Sequence, residues 1–247
     1  MKIMDNVTAA KYLIGHLDLT ALDKTETSYS VAELCHRAQT PYGNTAAVCI
    51  PPQYIPTAKQ ELVNTGIRIA TVVNFPDGQS SLKKVSSEIE RALSAGADEI
   101  DAVFPYQEFL AGHLPPCADF LKTCRNLCTN KVLKIILESG EYPNCTKIQE
   151  ASLMALMASA DFIKTSTGKT KISATYEAAN IILETIHEGK YNAGFKASGG
   201  IRTTMDAKQY LILAEAVLGE QWIDTSTFRI GASSLLDDLL NTIEKGY

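Results

Sequence analysis

No long, uninterrupted hydrophobic run occurs in the 247 residues, so nothing in the sequence reads as a membrane-spanning helix. No basic tract stands out and the formal charge is -5, which weighs against nucleic acid or an anionic membrane surface as a partner. His16, His36, His113 and His187 are scattered, with no H-E-x-x-H and no finger-like Cys/His spacing, so no metal site is expected. The six cysteines include no C-x-x-C pair, and a chain of this length needs no disulfides to hold a core; they read as free, mostly buried thiols. Met1 to Asn6 lacks the apolar region of a secretion signal, and a cytoplasmic location is expected. No Pro/Gly/Ser-rich linker divides the chain, and one domain over residues 1–247 is expected.

What is present is alternation. Short apolar runs near 15–19, 46–50, 67–74, 99–104, 132–137, 162–164, 194–196 and 227–230 are separated by longer segments of helical period. Leu82, Val85, Ile89 and Leu93 form one apolar stripe with charged residues between them. Ser173 is placed to cap a helix running toward His187, Thr203 and Asp206 form a capping pattern, and Ser233 or Ser234 opens a last helix. A further helix near Val7 to Ile14 precedes the first strand. Eight strand–helix units in this length predict an α/β fold, a (β/α)8 TIM barrel with an extra N-terminal helix. The competing fold is a doubly wound open sheet. No G-x-G-x-x-G follows its first strand, and Asp18, Cys49, Asn74, Asp101, Lys134, Lys164, Lys196 and Arg229 read as a ring of polar residues at C-terminal strand ends.

Lys134, Lys164 and Lys196 fall on three successive strands, and neighbouring parallel strands lie about 4.8 Å apart. If all three point inward, mutual repulsion disfavours protonation of at least one, and a neutral amine can attack a carbonyl to form a Schiff base. The bland alternative is outward lysines that snorkel to solvent. Asp101 shares a strand face with Val103 and is placed to pair with a lysine or move a proton through water. Asp18 either supports the same network or anchors the barrel. Asp98 and Glu99, at the strand start, read as solvated. Gly199-Gly200 and the Gly231-Ala232-Ser233-Ser234 turn each lead into a helix and could cradle an anion, with Thr167-Gly168-Lys169 as a third side.

Together these motifs resemble 2-deoxyribose-5-phosphate aldolase, a class I aldolase family with a barrel fold. The resemblance runs through Leu17-Asp18-Leu19-Thr20, residues 41–50, Val73-Asn74-Phe75-Pro76, residues 96–101, 161–169, 194–203 and 231–236. It implies reversible cleavage of 2-deoxy-D-ribose 5-phosphate to D-glyceraldehyde 3-phosphate and acetaldehyde, without metal or other cofactor. It implies that Lys164 forms the Schiff base, that Lys196 lowers its proton affinity and that Asp101 joins a water-mediated proton relay. Lys134, Asp18 and Thr20 would support them, with Cys49 near the site and Tyr247 assisting proton transfer. Phosphate would lie by Gly168, Lys169, Gly199, Gly200, Ser233 and Ser234, with Arg202 nearby, and a homodimer is implied. Two positions depart from the family pattern: Ala102 stands where larger aliphatics are common, and Lys196-Ala197-Ser198-Gly199-Gly200 replaces a frequent Lys-Pro-Ala-Gly-Gly. Two other functions fit the residues: a Schiff-base barrel enzyme with a different phosphorylated substrate, and a non-catalytic sugar-phosphate binder.

Overall fold

The computed structural model describes residues 4–246. Eight parallel strands close into a barrel: β1 (Leu17–Thr20), β2 (Ala47–Ile50), β3 (Arg68–Val73), β4 (Glu99–Val103), β5 (Val132–Ile136), β6 (Phe162–Lys164), β7 (Gly194–Ser198) and β8 (Phe228–Ala232). Each strand pairs with its sequence neighbour, and β8 returns to β1 through Leu17–Ile230, Asp18–Gly231 and Leu19–Ala232. A two-stranded ribbon, Gln39–Thr40 with Gly43–Asn44, stands outside the barrel. The α-helices are α1 (Asn6–Ile14), α2 (Ser28–Arg37), α3 (Ile55–Glu61), α4 (Leu82–Ala95), α5 (Tyr106–Leu110), α6 (Leu114–Leu127), α7 (Cys145–Met157), α8 (Tyr176–Glu188), α9 (Thr204–Leu218) and α10 (Leu235–Lys245). The expected N-terminal helix is α1, which packs against α9 and α10. No helix among the described residues is long and apolar enough to cross a membrane.

The alternation of the strands divides two interiors. One parity, including Leu19, Val48, Ile50, Ile100, Ala102, Leu133, Ile135, Ile163 and Phe195, belongs to the large apolar layer shared with the helices. The other parity faces the barrel axis. There β2 and β3 supply a small apolar cluster of Ala47, Cys49, Ala70 and Val72. The remaining strands supply Asp18, Glu99, Asp101, Lys134, Lys164, Lys196 and Arg229, each at most 5% exposed. This places Ala102 in the outer layer, away from the face that carries Asp101.

Several local expectations are corrected. Helix α8 is capped by Thr175, whose side chain accepts from the Ala178 N–H, and not by Ser173. Ser173 instead lies against Gly199, where an added Cβ would come 2.6 Å from its own Cβ. The capping box of Thr203 and Asp206 forms at the start of α9, whereas Ser234 precedes α10 without a side-chain cap bond. The polar residues do not form a ring at the strand ends. Asp18 and Arg229 are the second residues of their strands, and Cys49, Asp101, Lys134 and Lys196 the third; only Lys164 ends its strand, and Asn74 follows β3. Ion pairing across the axis satisfies these charges inside the barrel, so solvent at the rim is not required.

Candidate active site

The barrel registers bring the charges together. Asp101 lies opposite Lys134, Lys164 opposite Lys196, and Lys196 opposite Arg229. Lys134 Nζ donates to Glu99 Oε2 at 2.5 Å and to Asp101 Oδ1 at 2.8 Å. Lys196 Nζ donates to Asp18 Oδ2 at 2.5 Å and to Asp101 Oδ2 at 2.8 Å. Lys164 Nζ donates only to Asp101 Oδ2, at 2.7 Å. All three lysines point inward, so the snorkelling alternative is excluded. Glu99 is buried and paired with Lys134 and Arg229, which corrects its reading as a solvated residue. The two-residue period places Glu99 on the face of Asp101, and that signal was available in the sequence.

The partners set the protonation of each amine. For Lys134 and Lys196 burial disfavours the charge, but the carboxylates outweigh it: Asp101, Glu99 and Asp18 around Lys134, Asp101 and Asp18 around Lys196. Both amines are pushed above the ordinary lysine range. Lys164 moves the other way. Burial pushes it down, Asp101 pulls it back, and the Lys196 ammonium adds to the lowering. Burial alone would raise Asp101, yet Lys134, Lys164 and Lys196 hold it well below the usual carboxylate range. Asp18 is lowered against the same burial by Lys196, Lys134 and Arg229. Burial, with Asp101, pushes the Cys49 thiol up, so it is protonated at neutral pH.

Above the lysines opens a cleft of about 570 Å³. Its lining includes Gly168, Lys169, Gly199, Gly200, Ser233 and Ser234, with Thr20 and Arg202 also at its edge. The segments that would cradle an anion therefore share one space. They are not equivalent. The N–H groups of Arg202 and Thr203 go to Asp206, and that of Thr204 to Asp238 Oδ2 at 2.6 Å, so the start of α9 is already occupied by carboxylates. The start of α10, where Ser234 makes no cap bond, and the glycine pair before α9 are the better anion sites. Lys169 Nζ sits 2.7 Å from Asp23 Oδ1 across the cleft mouth. Thr20 Oγ1 bonds to the Asp18 carbonyl oxygen at 2.9 Å.

A sequence profile of the DeoC/LacD family aldolases matches residues 12–241. The chain belongs to this family. It is therefore an aldolase, a carbon–carbon lyase. The barrel superposes with a TM-score of 0.88 on a protein of Toxoplasma gondii ME49, provisionally assigned as a deoxyribose-phosphate aldolase, at 26% identity over 97% of each chain. A similarly assigned protein of Coccidioides immitis matches with a TM-score of 0.82 and 25% identity, over 98% of this chain and 99% of that one. The deoxyribose phosphate aldolase of Aeropyrum pernix, a tetramer, is 23% identical and shares the fold over the whole of both chains, with a TM-score of 0.78.

In this aldolase the sequence reading missed a supporting acid. Glu138 follows β5 with φ +61°, a left-handed conformation, and is buried. Its Oε2 accepts the Thr167 hydroxyl at 2.5 Å and its Oε1 the Thr170 hydroxyl at 3.1 Å, so it ties down the loop after Lys164. Burial raises its carboxyl above the ordinary range despite the bonds from Thr167. Tyr247 lies outside the described residues. Among the described residues no group of three or more His, Cys, Asp or Glu side chains is arranged to hold a metal ion. The six cysteines are free thiols, five buried and Cys145 exposed.

Proposed function

We propose that this aldolase cleaves 2-deoxy-D-ribose 5-phosphate reversibly to D-glyceraldehyde 3-phosphate and acetaldehyde, with Lys164 as the Schiff-base lysine. The observation that carries the reading is the inequality of the three buried amines. Lys134 and Lys196 each bond to two carboxylates, and Lys164 only to Asp101. Lys164 is the one of the three amines that burial and the Lys196 ammonium push below the ordinary lysine range, so it gives up its proton most readily, and it ends its strand beneath the glycine-lined cleft. The neutral nitrogen adds to the C1 aldehyde, and the carbinolamine takes up one proton and loses its hydroxyl as water to give an iminium. The C2–C3 bond then breaks as the C3 hydroxyl loses its proton through water held by Asp101 and Lys196. The iminium takes the electron pair and becomes an enamine. Protonation at C2 and hydrolysis release acetaldehyde and restore Lys164. Gly168, Lys169, Gly199, Gly200, Ser233 and Ser234 hold the phosphate at the far end of the substrate, while Thr20, Asp18 and Lys134 support the reacting end and Cys49 stands by as a neutral thiol.

Borohydride trapping with 2-deoxyribose 5-phosphate, followed by peptide mass mapping, tests the assignment. A reduced adduct on Lys164 that disappears in Lys164→Leu is the expected result. An adduct on Lys196, or no adduct and no cleavage, would overturn it. Acetaldehyde-dependent condensation with glyceraldehyde 3-phosphate separates this activity from a barrel enzyme with another donor. A cytoplasmic homodimer acting in nucleoside catabolism extends the same reading; one similar protein is a tetramer, and light scattering decides the assembly here.

A further inference from the structure

The chemistry at the top of the barrel leaves a charged layer at its bottom unexplained. Arg229 enters from β8 with Nη1 2.6 Å from Asp18 Oδ1 and Nη2 3.2 Å from Glu99 Oε1. Those two carboxylates hold Lys196 and Lys134, and those two lysines hold Asp101, which holds Lys164. The result is a closed ring of alternating charge with Lys164 attached at the pole opposite Arg229. The guanidinium also lies over the Phe162 ring, 5.7 Å from its centroid. Fully ionised, the cluster holds four cations (Lys134, Lys164, Lys196 and Arg229) against three carboxylates (Asp18, Glu99 and Asp101). His16, also close to Arg229, is held neutral by burial, and Cys49, facing Lys164, is a protonated thiol, so neither changes the count at neutral pH.

A buried excess of one charge is relieved by losing a proton. Arg229 cannot lose one, because a guanidinium stays charged in proteins. Lys134 is fixed by three carboxylates and Lys196 by two. Only Lys164 is left. We propose that Arg229 is a positioning residue for the aldol reaction: with Glu99 it forms a charged floor that leaves the cluster one cation in excess and so selects Lys164 as the amine that gives up its proton. This rests on the reading of Lys164 as the Schiff-base residue. Glu99 and Arg229 border a separate opening of about 470 Å³, also lined by Arg68, Asp98 and Lys131, and touch no part of the substrate cleft.

The test is the pH dependence of aldehyde capture. Acetaldehyde and cyanoborohydride are supplied across a pH series, and the rate of adduct formation on Lys164 is followed by mass mapping. Arg229→Met balances the cluster at three against three, so the acid limb moves up by about one unit and capture below it falls about tenfold. Arg229→Met combined with Glu99→Gln restores the excess of one and returns the limb to its original position. Arg229→Lys keeps the charge but loses the fork, so the limb stays while the rate falls. A purely structural role would lower rate or stability and leave every limb in place, and that result overturns the proposal. If Arg229→Met does not fold, a shifted limb in either charge-conserving variant overturns it equally. Failure to trap any adduct on Lys164 in the unsubstituted protein would sink the Schiff-base reading instead, so the two failures are distinguishable.

Discussion

The role proposed for Lys164 comes at a cost to the fold. Its side chain is 2% exposed and has one carboxylate partner. Lys164→Met removes a desolvated amine at nearly constant length, so loss of the aldehyde adduct is expected together with about 1–2 kcal/mol of added stability. The sign of the pH effect follows from the lowered folded-state value. Between that value and the unfolded value of about 10.4 the unfolded chain binds the proton more readily, so stability of the unsubstituted protein rises with pH. The advantage of Lys164→Met is therefore largest at low pH and fades toward 10.4; calorimetry across the series checks it. Asp101→Asn strips one partner from each of three amines; a loss of about 3–5 kcal/mol and of roughly 10²- to 10⁴-fold in activity is expected from denaturation and kinetics. The lysines and Asp101 were legible in the sequence because a charged residue inside an apolar strand of known parity has few places to go. Arg229 was visible but misplaced at a strand end, since nothing local says that its partners come from β1 and β4. Glu138 was not legible as a site residue, because its role depends on a left-handed backbone and on a loop 29 residues away.

The elements meet at glycines. Gly231 of β8 approaches Lys196 so closely that an added Cβ would lie 2.9 Å from Lys196 Cε. Gly199 has φ +92°, and a Cβ there would press on Ser173 at 2.6 Å and on Gly168 Cα at 3.1 Å. Gly199→Ala therefore forces apart the two loops that border the cleft. The expected result is weaker binding of inorganic phosphate and a raised KM for the phosphorylated substrate, with acetaldehyde still captured on Lys164; equal loss of both activities would contradict the separation of cradle and amine. The eight strands were legible from their apolar runs, and the start of α9 from its capping box. The start of α8 was not, because Ser173 and Thr175 are both good caps two residues apart, and only the packing of Ser173 against Gly199 decides between them.

At the scale of the whole molecule, the barrel axis trades part of its apolar filling for ion pairs. Asp18 and Asp101 are both lowered in the folded state. Their contribution to stability is complete above the unfolded carboxylate value of about 3.9 and is lost as pH falls through the folded values. Urea midpoints are expected to change little from pH 7 to 5 and to drop below about pH 4; a midpoint that holds at pH 3 would show that the buried pairs matter less than their geometry implies. The ring of charges has one more consequence. Its members come from β1, β4, β5, β7 and β8, with Lys164 attached from β6, and Arg229 reaches Asp18 only once β8 has docked on β1. A half-assembled barrel keeps its amines wet, protonated and inert. Reactivity is then a certificate of closure: during refolding, aldehyde capture should reappear after helical circular dichroism has recovered, and an unfinished chain cannot scavenge the aldehydes around it.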